Sequence, residues 1–346
     1  MKGSIVVIGA SGSMGFKICQ AVSELLPKQH IVVGDYKLER GEQTARKLSN
    51  ASAAYADSKN ASSIEQLVKS GPACVVVAVK QEEPVIQKLC SQNNIPCIDI
   101  TTFSTFTNKV EQQLPEKTSA SIVMAGFFPG MSGIAVKRVI AEFSQVDHAA
   151  VNLLQNTQAN VGLTGMRDML RIIAKPLPGG PGFSEKHSVC VENKPYQLRK
   201  IHHDEQLILQ KKLGIPEVTY RTCWNSEPIN SFMSVIVHCH LIDPLIHAMR
   251  RFKIDMDKGT KDETAYLIIE AKGTINNEPA ERKLVIEVFS DYGITAWTTA
   301  LLVKKILENP ALTGVCYPFE ILAFKEILQL ESLGKLKFLE RGIDVE

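Results

Sequence analysis

Residues 1–15 read MKGSIVVIGASGSMG, and their interpretation decides the fold. Ser4-Ile5-Val6-Val7-Ile8 is a short, mostly β-branched run suited to a buried parallel strand. It breaks at Gly9, and glycines recur at Gly12 and Gly15. The first glycine of such a turn makes the tight strand-to-helix reversal, the second lets backbone N–H groups approach a pyrophosphate, and the third lets the helix lie close on the strand. Ala10, Ser11, Ser13 and Met14 fill the turn, and the two hydroxyls suit phosphate bonding or helix capping. A glycine triplet alone is weak evidence, but its context supplies the rest. Ile18, Val22, Leu25 and Leu26 keep helical spacing up to Pro27, and a second apolar run from Ile31 to Val33 is closed by Asp35. That acidic side chain stands where it would accept the ribose hydroxyls of an adenosine, which favours NAD as cofactor. Lys37 and Arg40 just beyond could offset the charge of a 2′-phosphate, so NADP stays open.

At 346 residues and 45% hydrophobic content, the chain is sized for two domains with their own cores. Its 39 basic and 37 acidic residues give a net charge of +2 without any long like-charge block. Neither nucleic acid nor an anionic membrane is therefore expected as a partner. The N-terminal apolar run is consumed by the first strand, leaving no signal-type segment, and no apolar stretch reaches spanning length. Eight cysteines lie singly with no C-x-x-C pair, as in a reduced, cytoplasmic protein without a metal site.

From Lys37 to Phe143, strand-like and helix-like segments alternate in the manner of a Rossmann-type, doubly wound parallel sheet of α/β class. Helices are expected over 39–48, 62–69 and 84–92, and strands over 53–56, 73–79, 96–102 and 121–125. In such a sheet the ligand crevice lies at the carboxyl ends of the strands. Val79, Lys80 and Gln81, after the fourth strand, and Thr101 and Thr102, after the fifth, are expected there.

The glycine turn, the strand ending in Asp99, and the run Ala125-Gly126-Phe127-Phe128-Pro129-Gly130-Met131-Ser132-Gly133-Ile134 together resemble the saccharopine dehydrogenase family. Its glutamate-forming members carry a G-x-x-PG-x motif where the chain leaves the nucleotide-binding domain. Asp291-Tyr292-Gly293-Ile294-Thr295-Ala296, followed by a helix, and Gly314-Val315-Cys316-Tyr317-Pro318 are similar to the family's C-terminal Y-x-x-T-A and G-V-x-x-P pattern. The middle of the chain resembles the family poorly. The resemblance implies an NAD(P)-dependent oxidoreductase, or a relative using that scaffold; the apolar sheet and helix of the second domain make a homodimer the default assembly. The cofactor-binding set is then Gly9, Ala10, Ser11, Gly12, Ser13, Met14, Gly15, Asp35, Val79, Lys80, Thr101, Phe127 and Pro129.

The domains are expected at 1–143 for the nucleotide, 144–290 for an α+β substrate and dimerisation domain, and 291–346 for C-terminal helices that pack back on the first domain. In the middle domain, His148 to Gln155 reads as a strand, and Val161-Gly162-Leu163-Thr164-Gly165 as a turn into a helix over 166–174. The resemblance puts such a turn near the reactive end of the cofactor. Thr164, with Thr102 from the first domain, is a candidate substrate contact. Arg167 and Arg171 share a helix face and could clamp a carboxylate, although a salt-bridged surface with Asp168 fits them equally. Lys175 to Gly182 is proline- and glycine-dense, either a loop over the cleft or a plain surface connection. Two β-rich runs, 264–275 and 282–289, meet around Asn276-Asn277 in a hairpin with a longer loop.

Lys80 and His202 are the candidates for proton transfer, Lys80 by position and His202 because imidazole titrates near neutrality. The His202-His203-Asp204 triplet fits a solvated helix start equally well. His238 and His240, two apart on one expected helix over 231–249, point to different sides, so helix packing is expected there rather than a metal. Arg250, Arg251 and Lys253 would be the basic last turn of that helix. The expected activity is hydride transfer at a C–N or C–O bond of a small, amino-acid-like substrate. The alternatives are a homospermidine-synthase-like transferase that uses NAD without net turnover, and a non-catalytic nucleotide-binding or redox-sensing scaffold.

Overall fold

A computed structural model of the chain describes residues 3–115, 119–251 and 262–341. Along the chain come β1 (Ile5–Ile8), α1 (Ser13–Leu25), β2 (Ile31–Asp35), α2 (Leu38–Ala45), β3 (Ala51–Tyr55), α3 (Ala61–Lys69) and β4 (Cys74–Val77). They are followed by α4 (Val85–Gln92), β5 (Cys97–Asp99), α5 (Ser104–Gln113), β6 (Ser121–Ile122) and α6 (Met131–Ile140). The strands pair in parallel in the order β6-β5-β4-β1-β2-β3. Every residue of β1 and β4 is apolar and buried, as a central strand covered by helices on both faces requires. Val6, Ile8, Val32, Val75 and Val77 meet Ile64 and Leu67 of α3 and Ile86 of α4 in one core.

The chain then forms β7 (Gln145–Gln155), α7 (Leu163–Ala174), β8 (Lys186–Val191), β9 (Lys194–Ile201), α8 (Asp204–Leu213) and β10 (Glu217–Trp224). Next come α9 (Glu227–His238), α10 (Ile242–Arg251), β11 (Ala265–Ile275) and β12 (Glu278–Val288). The last elements are α11 (Asp291–Glu308), β13 (Val315–Cys316), α12 (Pro318–Ile321), α13 (Phe324–Ser332) and β14 (Leu336–Arg341). Two compact units result, one of residues up to 134 with 292–328, the other of 135–291 with 329 onward. The first changeover falls inside α6 rather than at residue 143. The C-terminal segment is also not helical throughout: β13 adds a seventh parallel strand beside β6, and β14 pairs antiparallel with β12 in the second sheet. Leu336 and Phe338 are buried in β14, a period-2 pattern that suits an edge strand better than a helix.

The second sheet runs β14-β12-β11-β7-β10-β9-β8, with β7 and β10 its parallel pair. Flat, the two strands β12 and β8 would lie about 24 Å apart at ~4.8 Å per strand. Instead, Lys283 of β12 donates to the Cys190 carbonyl of β8 at 3.3 Å. The sheet has curled over its own apolar face, closing on Leu154, Val189, Leu198, Cys223, Ile268 and Val285. The hairpin between β11 and β12 is tighter than the sequence suggested. Asn276 and Asn277 form a two-residue turn with φ of 52° and 67°, conformations asparagine tolerates and a twisted hairpin favours.

Where one helix over 231–249 was expected, α9 and α10 meet at 114°. His240 takes φ 56° at the break, and Pro244 in the first turn of α10 has no N–H with which to continue α9. The break leaves Phe232, Val235 and Leu241 exposed, and His238, Cys239 and His240 are exposed too rather than packed. Lys253 lies outside the described residues. No single helix among the described residues is long and apolar enough to cross a membrane.

The start of α9 is fixed by a buried cation. Arg199 of β9 is 0% exposed; its Nη2 donates to Glu227 Oε1 at 2.6 Å, its Nη1 to Glu227 Oε2 at 3.2 Å and its Nε to Ser234 Oγ at 3.0 Å. Its guanidinium stacks 5.3 Å from the Phe183 ring.

Candidate functional site

The glycine turn closes as its spacing requires. Gly9 has φ +82°, and a Cβ there would lie 2.4 Å from Val79 Cγ1; one at Gly15 would lie 2.2 Å from the Gly9 carbonyl oxygen. The turn therefore holds the end of β4 against the end of β1 and lays α1 on the strand. Gly12 is the N-cap of α1 and no side chain caps the helix, whose first turn carries no acidic residue. Uncapped N–H groups at the positive end of a helix form a cradle for an anion, and the absence of Cβ atoms lets a pyrophosphate approach. The turn thus fits a dinucleotide. Ser13 is exposed, whereas Ser11 is half-buried and directs its hydroxyl to the Arg40 carbonyl at 3.4 Å.

Asp35 sits at the end of β2 as expected, but it is already engaged. Its carboxylate accepts from the Lys37 N–H at 2.8 Å, from Arg40 Nη2 at 2.8 Å and from Arg40 Nε at 3.1 Å. Arg40 lies 4.9 Å from the centre of the exposed Tyr36 ring. Hydrogen bonding to Asp35 raises the Arg40 pKa further, so the guanidinium stays charged. The sequence reading noted Arg40 only as a possible charge offset; its position five residues after Asp35, one helical turn into α2, was the signal for the pairing.

At the end of β5, buried Asp99 accepts from the Thr101 N–H at 2.7 Å, from Gln87 Nε2 at 2.6 Å and from Gln81 Nε2 at 3.2 Å. These amides tie the segment after β4, which carries Lys80, to the end of β5. Lys80 itself is exposed, with Nζ 5.1 Å from the Phe103 ring, and Thr101 and Thr102 are half-buried. Sequence reasoning missed Gln81 and Gln87 as partners because an amide on a helix gives no local cue to its target. Burial pushes the Asp99 carboxyl up to about 6 from 3.8. A carboxyl that holds its proton more tightly when folded stabilises the chain fully below its unfolded value, and that contribution is lost as pH rises through about 6. Thermal melts of Asp99→Asn against wild type at pH 4 and pH 7 should show the variant gaining several degrees relative to wild type at the higher pH.

The two stretches that carry the family resemblance meet in space. The Phe127 N–H donates to Thr295 Oγ1 at 3.3 Å, and Thr299 Oγ1 donates to the Ala125 carbonyl at 2.8 Å. Gly130 has φ +123°, and a Cβ there would lie 2.4 Å from the Gly126 carbonyl oxygen. Phe127 and Pro129 are both buried in the loop so formed.

In the second unit, Thr164 is exposed in the first turn of α7, whose N-cap, Gly162, makes no side-chain cap. Arg171 lies 3.9 Å from Asp168, and Nε of Arg167 is enclosed without a hydrogen-bond partner. Lys175, just beyond α7, donates to Asp204 Oδ1 at 2.6 Å, which ties the end of α7 to the start of α8. His202 is half-buried, but the solvated helix start expected around it is not found: His203, Asp204 and Glu205 are buried. His203 stacks on Tyr220 at 4.5 Å, and the Tyr220 hydroxyl donates to Glu205 Oε2 at 2.6 Å. Burial holds the His203 imidazole down to about 3, so it is neutral at physiological pH. The stacking partner lies in β10, beyond the reach of any local pattern. Among the described residues, no three His, Cys, Asp or Glu side chains converge as metal ligands.

Residues 5–126 match the family model of the saccharopine dehydrogenase NADP binding domain. That stretch of the first unit is thus similar to the NADP binding domain of saccharopine dehydrogenase. Over its whole length the chain also shares the fold of saccharopine dehydrogenase (L-Glu forming) from Saccharomyces cerevisiae, with a TM-score of 0.65 at 12% identity, covering 98% of this chain and 100% of that one. At that identity the likeness establishes fold alone. DAP dehydrogenase of C. glutamicum, solved in complex with DAP, aligns over 96% of this chain and 98% of its own at 10% identity, with a TM-score of 0.46. No curated protein matches the chain in sequence. The matched residues include the glycine turn, Asp35, Val79 and Asp99, whereas the second unit lies outside them.

Proposed function

We propose that the chain is an NADP-preferring oxidoreductase that moves a hydride to or from a C–N or C–O bond of a small, amino-acid-like substrate. The observation that carries this reading is the uncapped helix start at Gly12 with Val79 packed on Gly9, an anion cradle inside a dehydrogenase-type domain. The hydride chemistry belongs to the bound nicotinamide. The protein's part is to bind and orient. Gly9 to Gly15 hold the pyrophosphate, and Val79, Lys80, Thr101, Phe127 and Pro129 line the nicotinamide half. Arg40, neutralising Asp35 and standing over Tyr36, removes the repulsion a 2′-phosphate would meet and offers N–H groups to it. Thr102 and Lys80 in the first unit, and Thr164, Arg167, Arg171 and His202 in the second, are the sequence-based candidates for holding the substrate carboxylate and moving the matching proton.

Calorimetric titration of the intact chain with NADPH and NADH tests the first half of this reading. NADPH is expected to bind more tightly, and Arg40→Ala to weaken NADPH about tenfold, about 1.4 kcal/mol, while leaving NADH nearly unchanged. Failure of wild type to bind either cofactor would sink the oxidoreductase reading. Net NADPH oxidation with paired amino and keto acids separates a dehydrogenase from an enzyme that recycles its cofactor within one turnover.

A further inference from the structure

Asp99 lies fully buried at the end of β5, and three N–H donors converge on its carboxylate. Oδ2 takes both amides, Gln87 Nε2 at 2.6 Å and Gln81 Nε2 at 3.2 Å, while Oδ1 takes the Thr101 N–H at 2.7 Å. The orientation of the two amides is fixed by their other ends. Gln81 Oε1 accepts from the Ile86 N–H at 3.4 Å, and Gln87 Oε1 accepts from Gln81 Nε2 at 3.2 Å. A proton on Oδ2 would therefore meet two N–H groups, and one on Oδ1 would compete with the Thr101 N–H. Turning an amide over only moves the mismatch to its other end. Protonation also removes the charge that makes these bonds strong.

What the bonds hold is the turn after β4. Pairing with β1 ends at the Ala78 N–H, which donates to the Ile8 carbonyl at 2.9 Å. Val79 follows, packed so closely on Gly9 that a Cβ there would lie 2.4 Å from Val79 Cγ1. Two residues on, Gln81 is bonded to Asp99, and beyond it Lys109 of α5 donates to the Glu82 carbonyl at 2.9 Å and pairs with Glu83 at 2.5 Å. The Lys109–Glu83 pair is exposed and contributes little, so Gln81 is the inner tether of Val79. The titratable groups around Asp99 are few. On its own strand Cys97 shares its face, and a hydrogen bond with Cys90 together with burial keeps that thiol protonated. Lys80 directs its ammonium to the Phe103 ring, 5.1 Å from the centre. Val77 of β4, and Ala125, whose N–H donates to the Asp99 carbonyl at 3.0 Å, bring no charge. Burial is thus the first cause acting on the carboxyl, and it pushes Asp99 up to about 6.

We propose that Asp99 is a positioning residue for the cofactor: its ionised carboxylate holds Gln81, and through it Val79, against the glycine turn, and protonation loosens that hold. This rests on the oxidoreductase reading above, in which Val79 and the glycine turn line one nucleotide site. The test is calorimetric titration of the intact chain, wild type and Asp99→Asn, with NADP⁺ at pH 8 and at pH 5. The 2′-phosphate of the probe takes up a proton over the same range, so the readout is the ratio of the two affinities. Asparagine keeps the shape of the side chain without its charge, so wild type should bind about tenfold more tightly at pH 8 and equally at pH 5. A ratio that stays constant, whatever its value, is what a merely structural role gives and would overturn the proposal. If Asp99→Asn fails to fold, Gln81→Leu, which cuts the tether and leaves the carboxylate, decides by the same ratio. A constant ratio with NADP⁺ binding intact removes the role of Asp99 alone. No NADP⁺ binding by wild type at either pH removes the oxidoreductase reading together with it.

Discussion

Gly15→Ala is expected to reduce NADPH affinity at least a hundredfold, about 3 kcal/mol, and to lower the melting temperature of the chain. The added Cβ would lie 2.2 Å from the Gly9 carbonyl oxygen and 2.8 Å from Ala10 Cα. Both obstacles are backbone, so no rotamer change relieves them, and α1 has to lift off β1 at the point where the pyrophosphate would sit. Overpacking of this kind costs ~1–3 kcal/mol in stability. The contrasting variant is Gly12→Ala. Gly12 has ordinary extended dihedrals, and its added Cβ would meet only the Gly9 carbonyl oxygen, at 3.2 Å. Differential scanning fluorimetry and nicotinamide fluorescence on both variants measure the two effects. Gly15→Ala binding NADPH as wild type does would mean that the close approach of helix and strand is not what the cradle depends on.

The second large effect lies far from the cofactor turn in sequence. Glu227→Ala should destabilise the chain by about 3 kcal/mol, because it leaves the guanidinium of Arg199 buried without its counter-charge. Arg199→Met, which removes the charge and keeps the volume of the stem, should cost less than Glu227→Ala. That ordering is the discriminating result in chemical denaturation, since a pair acting only through packing would show the reverse. The pH dependence has a defined sign. Hydrogen bonding to Arg199 holds the Glu227 carboxyl below its ordinary 4.5, so the contribution of the pair is present at neutral pH and is lost as pH falls through the lowered value.

The parallel sheet was legible because its determinants are local. A β-branched run, a glycine turn and a helical apolar spacing specify β1, α1 and β2 without reference to anything distant, and β4 is a run of four buried residues. Asp35 was legible as a position and not as a state, since the sequence places an arginine nearby and only the first turn of α2 brings it round onto the carboxylate. The break between α9 and α10 had a cue in Pro244, which the surrounding apolar pattern masked. His203 had none. Its burial depends on Tyr220 in a strand paired with β9, a contact that hydrophobic periodicity does not encode.

The chain threads back and forth between its two sheets, and this orders its folding in time. The last strand to join the first sheet, β13, and the last to join the second, β14, both come from the final stretch of described sequence. During vectorial synthesis, therefore, neither sheet gains these edge strands until β13 and β14 have left the ribosome. Strand edges left unpaired are templates for association with other chains, so the interval before β13 and β14 emerge is when the nascent protein is most dependent on chaperones.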